Sequence, residues 1–234
     1  MIETVLASGE GPSDLGQQYA DKITYGPVAV LLQQLGIPLS PQSRWIFCGK
    51  EELKQHSRLQ LPGKKRRPGQ AYFHSNALGL GRMASRHRGN TVAILFRDGD
   101  RTRQTPRDEW QEKWNSIQSG FEEAEFSNWV GLLPAPKSEA WLLCALKESP
   151  YEHCAVLEEL SGNDASPKSL KKRLVEAAKG RGICIDAASL VEWLQNSAGD
   201  AAEKIDMNSW NQGRARVNCV VQRFDQTWKT DHPR

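Results

Sequence analysis

The sequence predicts an α/β fold: a mostly parallel sheet flanked by helices, followed by a mainly helical C-terminal extension. The apolar run from Val92 to Phe96 has the length and the large or β-branched side chains of a strand buried on both faces of a parallel sheet. Strand, turn and helix follow one another three times within residues 1–146, each time with acidic residues where the strand ends. Because ligands bind at the carboxyl ends of strands in open α/β sheets, this repetition predicts a single composite site.

The segments before the central strand alternate between strand and helix patterns. Glycines on both sides of Glu10 allow a sharp turn after the first strand. Pro27 suits the first turn of a helix, which Gly36 would end. The expected elements are a strand at 3–8, helical sequence from 15, a helix at 27–35, an additional strand at 44–48 within an irregular stretch at 37–70, and a helix at 70–88 with Tyr72, Phe73, Leu78, Leu80 and Met83 facing inward.

Aromatic residues at helical spacing follow the central strand. Trp110, Trp114, Ile117 and Phe121 predict a helix at 107–121, with these side chains in the core rather than on a base-stacking surface. The remaining expected elements are a strand at 129–133, a helix at 140–146, a helix at 166–178 capped by Ser166, a helix at 186–194, and from 206 a final helix or an added strand. This order predicts an α/β domain at 1–160 and a helical extension at 161–234 packed on it.

Composition favours a globular protein over a disordered or membrane-spanning one. The 234 residues are 38% hydrophobic and 25% charged. No apolar run approaches the roughly 20 residues that span a bilayer, and the N-terminus shows no signal-peptide pattern. The five cysteines are scattered without a Cys-x-x-Cys pair, which argues against a disulfide framework or a zinc knuckle and fits a reducing cytoplasm.

Acidic residues after the predicted strands indicate a metal site. Asp98 and Asp100 follow the central strand, and two such carboxylates stay ionised most easily with a divalent cation between them. Mg²⁺ or Mn²⁺ is expected because both ions favour oxygen ligands. The alternative is a hairpin turn, for which Asp-Gly is a common signal, but residues 101–106 do not resemble a second strand. In the first turn, helix capping explains Asp14 but gives no reason for Glu10 between two glycines.

Basic residues form clusters although the net charge is only +3. Beside an acidic metal site, such clusters suit a polyanion whose phosphates are both held and cut. A solvated loop and an ordinary helix face are the alternative explanations. The residues concerned are Lys64, Lys65, Arg66 and Arg67 in the first cluster, which Arg82, Arg86, His87 and Arg88 follow, and Lys168, Lys171, Lys172 and Arg173 in the second.

Taken together, Glu10-Gly-x-x-Asp14 and the later Asp98-Gly-Asp100 resemble the Toprim domain of topoisomerases, DnaG-type primases, RecR-like proteins and OLD nucleases. The Lys-Ser-Glu-Ala-Trp segment at 137–141 is similar to small stand-alone Toprim-like proteins related to OLD nucleases, which often occur beside a separate ABC/SMC-type ATPase. The resemblance spans roughly residues 1–145 and continues faintly at 166–168.

This resemblance implies a Toprim-like (Rossmann-like) sheet and a Mg²⁺- or Mn²⁺-dependent nuclease acting on DNA or RNA. It further implies a cytoplasmic effector subunit of an ATPase-coupled bacterial antiviral defence or repair system. By position, Glu10 would contact the metal or act as general base. The residues that would ligate metal are Asp98 and Asp100, with Asp14 at the second acidic position of the first motif and Ser138 or Glu139 completing a second site. Because phosphodiester hydrolysis needs charge neutralised on the leaving oxygen, Lys168 or Lys171 would stabilise that oxygen; the alternative is a lysine that only holds phosphate or is solvated.

Two departures from the family pattern and two other functions remain open. The long interval from Glu10 to Asp98 implies an insertion at about 37–70, and Ser138 and Glu139 are adjacent where the family pattern separates them. A binding or regulatory subunit could keep the fold without turnover. Residues 96–102 also fit the Asp-x-Asp-x-Thr motif of haloacid-dehalogenase-like phosphatases, with Asp98 as nucleophile and Asp100 as acid/base, although that family usually has this motif at its first strand.

Overall fold

The computed structural model describes residues 1–11, 13–57, 68–99, 107–166 and 169–231. Its centre is a four-stranded, entirely parallel sheet in the order β4-β1-β5-β6, which confirms the predicted α/β class. A second, two-stranded antiparallel sheet is the hairpin β2–β3, whose Tyr25 packs edge-on against Trp45 of β4. The strands are β1 (Thr4–Ser8), β2 (Gly16–Tyr19), β3 (Lys22–Tyr25), β4 (Arg44–Phe47), β5 (Thr91–Phe96) and β6 (Trp129–Leu132).

Helices cover both faces of the sheet. Side chains alternate between the faces, so that Val5 and Ala7 of β1 enter one core and Leu6 enters the other. α1, α5 and the C-terminal helices pack on the first face, and α2, α3 and α4 on the second. The helices are α1 (Pro27–Gln34), α2 (Lys50–Ser57), α3 (Pro68–Ala84), α4 (Arg107–Glu123), α5 (Glu139–Leu146), α6 (Leu170–Gly180), α7 (Ala187–Asn196), α8 (Ala201–Lys204) and α9 (Asn208–Asp231), with a 3₁₀ helix at Cys154–Glu159.

The C-terminal helices share the core of the sheet. Gln34 of α1 donates to the carbonyls of Leu194 and Ala198 and accepts from the amide of Ala202. The tail after residue 206 is a helix, α9, and not an added strand. Trp210 of α9 is fully buried and contacts the ring of Trp141 edge-on at 5.0 Å. The C-terminal helices therefore contact α1 and α5, while the division into a domain at 1–160 and an extension at 161–234 stays a prediction.

The sequence-based prediction of helix from Leu15 is wrong. The chain instead forms the β2–β3 hairpin, because Gly16 has a positive φ of 111° and any Cβ there would lie 2.1 Å from the carbonyl oxygen of Thr24. The end of the hairpin lies beside the residues that precede it. The backbone amide of Gly26 donates to the backbone carbonyl of Leu15, and the backbone amide of Val28 donates to the backbone carbonyl of Asp14. α1 therefore begins beside Asp14.

Three further predictions need correction. α6 begins at Leu170 and is capped by Ser169, whose hydroxyl accepts from the amide of Lys172, and not by Ser166. Tyr72 is 37% exposed rather than inward-facing. One disulfide joins the buried Cys144 and Cys154, although the sequence predicted no disulfide framework. The stretch at 37–70 contributes β4, an integral edge strand of the sheet, as well as α2.

Within the described ranges, no helix combines the length and apolar character needed to cross a bilayer.

Candidate active site at the carboxyl edge of the sheet

All four parallel strands end at the same edge, and the predicted acidic turns meet there. From β1 the chain passes to β4 on one side, and from β4 it crosses to β5 on the other side of β1. The strand order therefore reverses between β1 and β5, the position where open α/β sheets bind their ligands. Glu10 follows β1 and Asp98 follows β5, so these two predicted residues flank the reversal.

Basic and hydroxyl side chains hold the Glu10 carboxylate. Lys50, which begins α2 just after β4, forms an ion pair and hydrogen bond with Oε2 of Glu10. The Tyr72 hydroxyl lies 3.3 Å from Oε1, and Nε of Arg97 lies 3.7 Å from the same oxygen. The hydrogen bond to Glu10 is the largest of the influences that raise the pKa of Lys50, which keeps this lysine charged. We call Glu10, Lys50, Tyr72 and Arg97 the basic site.

Arg97 anchors the basic site from inside the protein. Arg97 lies between β5 and Asp98 in the sequence, and its side chain is fully buried. Nη1 donates to the carbonyls of Ser8 (3.0 Å) and Phe96, while Nη2 donates to Oγ of Ser8 (3.0 Å) and to Oδ1 of Asn76. Burial lowers the pKa of Arg97, although a guanidinium remains charged at any ordinary pH. This arginine therefore ties the end of β1 to the end of β5.

Asp14, four residues after Glu10, lies in different surroundings. Its Oδ1 accepts a 2.7 Å hydrogen bond from the Ser138 hydroxyl, across 124 residues of sequence. Ser138 precedes α5 but its side chain does not cap that helix, so its hydroxyl is available to Asp14. Glu139 is the first residue of α5. We call Asp14, Ser138 and Glu139 the acidic site.

Burial and negative charge act together on Asp14. Its pKa is raised from 3.8 to about 6, chiefly by burial. The Ser138 hydrogen bond and the charge of Lys137 lower this pKa, whereas the charges of Glu139 and Glu10 raise it. Ionised Asp14 therefore lacks enough positive charge around it among the described side chains.

A cavity of about 210 Å³ opens on the acidic site. Helix N-termini surround it, because Pro27, Glu139 and Ala187 each begin a helix. Lys171, in the first turn of α6, also lines it. Helix N-termini and a lysine favour anions, while Asp14 and Glu139 favour cations. The cavity can therefore accommodate a cation together with an anionic ligand.

Lys137 is close to carboxylates both at the end of the central strand and in the acidic site. Burial lowers its pKa, but Asp164, Glu139 and Asp98 together outweigh this effect, and the pKa of Lys137 is raised. Its ammonium lies 3.3 Å from Oδ2 of Asp164. Asp98 itself is half-buried just after β5. The carboxylates that follow β5 and β6 thus share one lysine.

The structure brings some predicted residues together and leaves others apart. Glu10 is held in the basic site, Asp14, Ser138 and Glu139 form the acidic site, and Lys171 lies at its cavity. Lys172 is exposed and is not among the residues that line this cavity. Among the described residues, no group of three or more His, Cys, Asp or Glu side chains is arranged to hold a metal ion. Asp100, Lys168, Lys64, Lys65, Arg66 and Arg67 lie outside the described residues.

No site role was predicted for Lys50, Tyr72, Arg97 or Lys137, although Lys137 begins the segment at 137–141 that carries the family resemblance. Two of them carried a usable signal: Arg97 directly follows the buried run, and Lys50 follows the possible strand at 44–48 by two residues. Both therefore occupy the carboxyl ends of strands, where ligand-binding side chains are expected. Tyr72 gave no such signal, because it lies within a helix beside inward-facing Phe73.

Comparison with known proteins gives no match: no family model, no curated protein and no solved structure is significantly similar to this chain.

Proposed function

We propose that this protein is a Mg²⁺- or Mn²⁺-dependent nuclease that hydrolyses phosphodiester bonds at the carboxyl edge of its sheet. The observation that carries this proposal is the hydrogen bond from Ser138 to Asp14, which joins the first and third acidic turns of the sequence. A lone helix cap would not require this contact. Asp98 after β5 supplies a further carboxylate at the same edge.

The acidic site suits a small, hard cation. It offers two carboxylates and one hydroxyl, and Mg²⁺ commonly binds through one or two carboxylates while keeping several waters and contacting substrate phosphates. The absence of a three-residue metal group among the described side chains is compatible with that mode of binding. Asp14, Glu139 and Ser138 are the residues that would hold the ion, with Asp98 and Asp100 as the further ligands that the sequence resemblance implies. When bound, such an ion neutralises charge on the phosphate and activates water.

The chain's own basic groups would hold the substrate. Lys171 and the N-termini of α1, α5 and α7 border the same cavity as Asp14, and helix N-termini bind phosphate through their free amides. Lys137 neighbours Asp98 and Glu139. These groups would orient a phosphodiester next to the carboxylates. Lys168 and the cluster from Lys64 to Arg67 stay predicted nucleic-acid contacts.

The biological setting follows from the sequence resemblance. It supports DNA, or RNA, as substrate, a separate ABC/SMC-type ATPase as partner, and a cytoplasmic effector role in bacterial defence or repair. These assignments are proposals that rest on the motifs at 10–14, 98–100 and 137–141.

A binding or regulatory subunit without turnover is the second candidate. The observation that favours it is the pairing of Glu10, the residue expected to contact metal or act as base, with Lys50 and Arg97. A haloacid-dehalogenase-like phosphatase has less support, because β5 is the third strand of the sheet along the chain. The remaining residues of that motif lie outside the described part of the protein.

The test is nicking of supercoiled plasmid by the purified protein with Mg²⁺ or Mn²⁺, with EDTA as a control. We expect metal-dependent nicking that is lost in Asp98→Asn and Asp14→Asn. The matched control is Asp21→Asn, which makes the same change at an exposed residue of the β2–β3 turn. Equal nicking in all variants would contradict the site assignment, and Mn²⁺ binding without nicking would favour the regulatory subunit. Hydrolysis of a small phosphomonoester with an aspartyl-phosphate on Asp98 would favour the phosphatase.

A further inference from the structure

We infer that Lys50, Tyr72 and Arg97 form a subsite for a phosphate oxyanion, which the Glu10 carboxylate occupies in this structure. The inference deepens the proposed function and rests on it for the identity of the substrate. The subsite itself consists of groups on this chain and requires no metal.

The geometry of the basic site is that of an anion-binding site. Donors from three separate elements converge on one carboxylate: Lys50 from α2, Tyr72 from α3 and Arg97 from the end of β5. Lys50 Nζ and Arg97 Cζ lie 5.9 and 6.0 Å from the centre of the Tyr72 ring, so both cations border the same aromatic side chain. Arginine, lysine and tyrosine hydroxyl are all groups that bind phosphate oxygens.

The buried guanidinium has one unused donor. Both of its terminal nitrogens are hydrogen-bonded, but none of the described residues accepts a hydrogen bond from Nε of Arg97. Oε1 of Glu10, at 3.7 Å, is the carboxylate oxygen next to it and is too far to accept. Buried donors normally have acceptors. A phosphate carries more acceptor oxygens than a carboxylate and can contact Nε and the Tyr72 hydroxyl at once.

Charge also favours a phosphate over the glutamate. Two cations, Lys50 and Arg97, surround a single carboxylate, so a dianion matches the basic site better than Glu10 does. The Lys50–Glu10 pair is partly exposed, at 45% and 27% of the two side chains. Such pairs are screened by solvent and contribute little stability, which makes Glu10 easy to displace.

The position of the subsite agrees with the proposed reaction. Glu10 and Arg97 follow β1 and β5, on either side of the point where the strand order reverses. Asp14, in the acidic site, is only four residues from Glu10. A phosphate bound by Lys50, Tyr72 and Arg97 would therefore lie beside the carboxylates that would hold the cation.

The experiment is calorimetric titration of the full-length protein with inorganic phosphate in the presence of EDTA. Because hydrogen bonds to charged groups contribute about 1.5–3 kcal/mol, and about 1.4 kcal/mol is tenfold in affinity, we expect Glu10→Ala to bind phosphate at least about tenfold more tightly than the wild type. Adding Lys50→Ala or Tyr72→Phe to that background should remove most of the gain. The matched control is Lys54→Ala, which removes an exposed lysine of the same helix that pairs with Glu51, and it should leave the gain intact.

Each outcome decides the inference. No gain in Glu10→Ala, or an equal loss in the Lys54→Ala control, would overturn it. Should Glu10→Ala not fold by circular dichroism, Glu10→Gln provides the same test, because it keeps the side-chain size and removes the charge. Since the titration contains EDTA, its failure overturns the subsite alone, whereas absence of metal-dependent nicking overturns the proposed function alone.

Two dinucleotides identify the phosphate that the subsite takes. One is dTpdT, which has only an internal diester, and the other is pdTpdT, which adds a terminal phosphate. Competition with inorganic phosphate by pdTpdT alone supports a subsite for a terminal phosphate, and competition by both supports one for the backbone. Competition by neither would contradict a role in substrate binding.

Discussion

Glu10 and Asp14 belong to one loop and are four residues apart, yet the fold surrounds them with opposite partners. Lys50, Tyr72 and Arg97 contact or border Glu10. Asp14 instead accepts a hydrogen bond from the Ser138 hydroxyl and is close to the carboxylates of Glu139 and Glu10. Burial and these negative charges raise the pKa of Asp14 to about 6. The difference shows that a Glu-x-x-x-Asp motif fixes the spacing of two carboxylates but not their electrostatics. The electrostatic surroundings of each carboxylate depend on which side chains follow the neighbouring strands.

The strand order explains the contrast. Lys50 follows β4, on one side of β1, while Ser138 and Glu139 follow β6, at the opposite end of the sheet. The carboxyl edge therefore changes from basic to acidic across its width. We interpret the basic side as holding phosphate and the acidic side as holding the cation.

The largest expected effect is on stability, in the basic site. Arg97→Met should lower the free energy of unfolding by about 3–5 kcal/mol, as expected when one partner of a buried charged network is removed. The acceptors Ser8 and Asn76 would lose their donor. Urea unfolding measures the change. Arg44→Met, at an exposed position of β4, should change stability by no more than about 0.5 kcal/mol; equal losses in the two variants would show that the buried network contributes nothing.

The next effect is on activity, in the acidic site. Asp14→Asn should reduce metal-dependent nicking by at least about 100-fold, because even outer-shell partners of metal sites contribute about 10–100-fold. Initial nicking rates in Mn²⁺ measure this loss. Ser138→Ala should have a smaller effect, since it removes only the hydroxyl that contacts Asp14. Wild-type rates in Asp14→Asn would remove the acidic site from the mechanism.

The same substitution should stabilise the protein when metal is chelated. The pKa of Asp14 is raised from 3.8 to about 6, and one unit corresponds to about 1.4 kcal/mol. Allowing for the partial exposure of Asp14, we expect Asp14→Asn to be more stable by about 2 kcal/mol at pH 7 in EDTA.

The pH dependence has a definite sign. The folded protein holds the Asp14 proton more tightly than the unfolded chain does, so the stability from this group is present below pH 3.8 and is lost as pH rises through about 6. The advantage of Asp14→Asn should therefore grow between pH 4 and 7 in urea titrations with EDTA. A constant difference across that range would contradict the raised pKa.

The smallest expected effect is that of Glu10→Gln on stability. It removes a partly exposed ion pair with Lys50, and such pairs contribute about 0–1 kcal/mol. The variant should therefore be slightly less stable than the wild type at pH 7 in EDTA, opposite in sign to Asp14→Asn. Thermal unfolding of both variants side by side measures the contrast, and a gain in both would show that the two surroundings do not differ.

Sequence reasoning predicted the parts of the fold that local patterns determine. The apolar run at 92–96 lies in β5, and the aromatic residues at 110–121 lie in α4. The predicted strand at 129–133 and helix at 140–146 correspond to β6 and α5. It failed at residues 15–25, where a helix was expected. In that segment the positive φ of Gly16 and its close contact with Thr24 favour a hairpin over a helix. Neither feature can be deduced from the sequence without knowing which strand pairs with β2.

Sequence patterns indicate where the candidate site lies but not which of its side chains pair. The carboxyl edge and its acidic turns follow from the strand pattern. That Ser138 would reach Asp14, and that Lys50 and Arg97 would approach Glu10, depends on the order β4-β1-β5-β6. Strand order is set by long-range pairing and cannot be predicted from short sequence motifs.

A calorimetric Mn²⁺ titration of Asp14→Asn and Glu10→Gln, in parallel with the wild type, tests directly which of the two sites holds the cation. If the acidic site holds the cation, as we propose, Asp14→Asn loses most of its Mn²⁺ affinity while Glu10→Gln keeps it. Loss of Mn²⁺ binding in Glu10→Gln with retention in Asp14→Asn would contradict a cation at the acidic site and place the ion in the basic site instead.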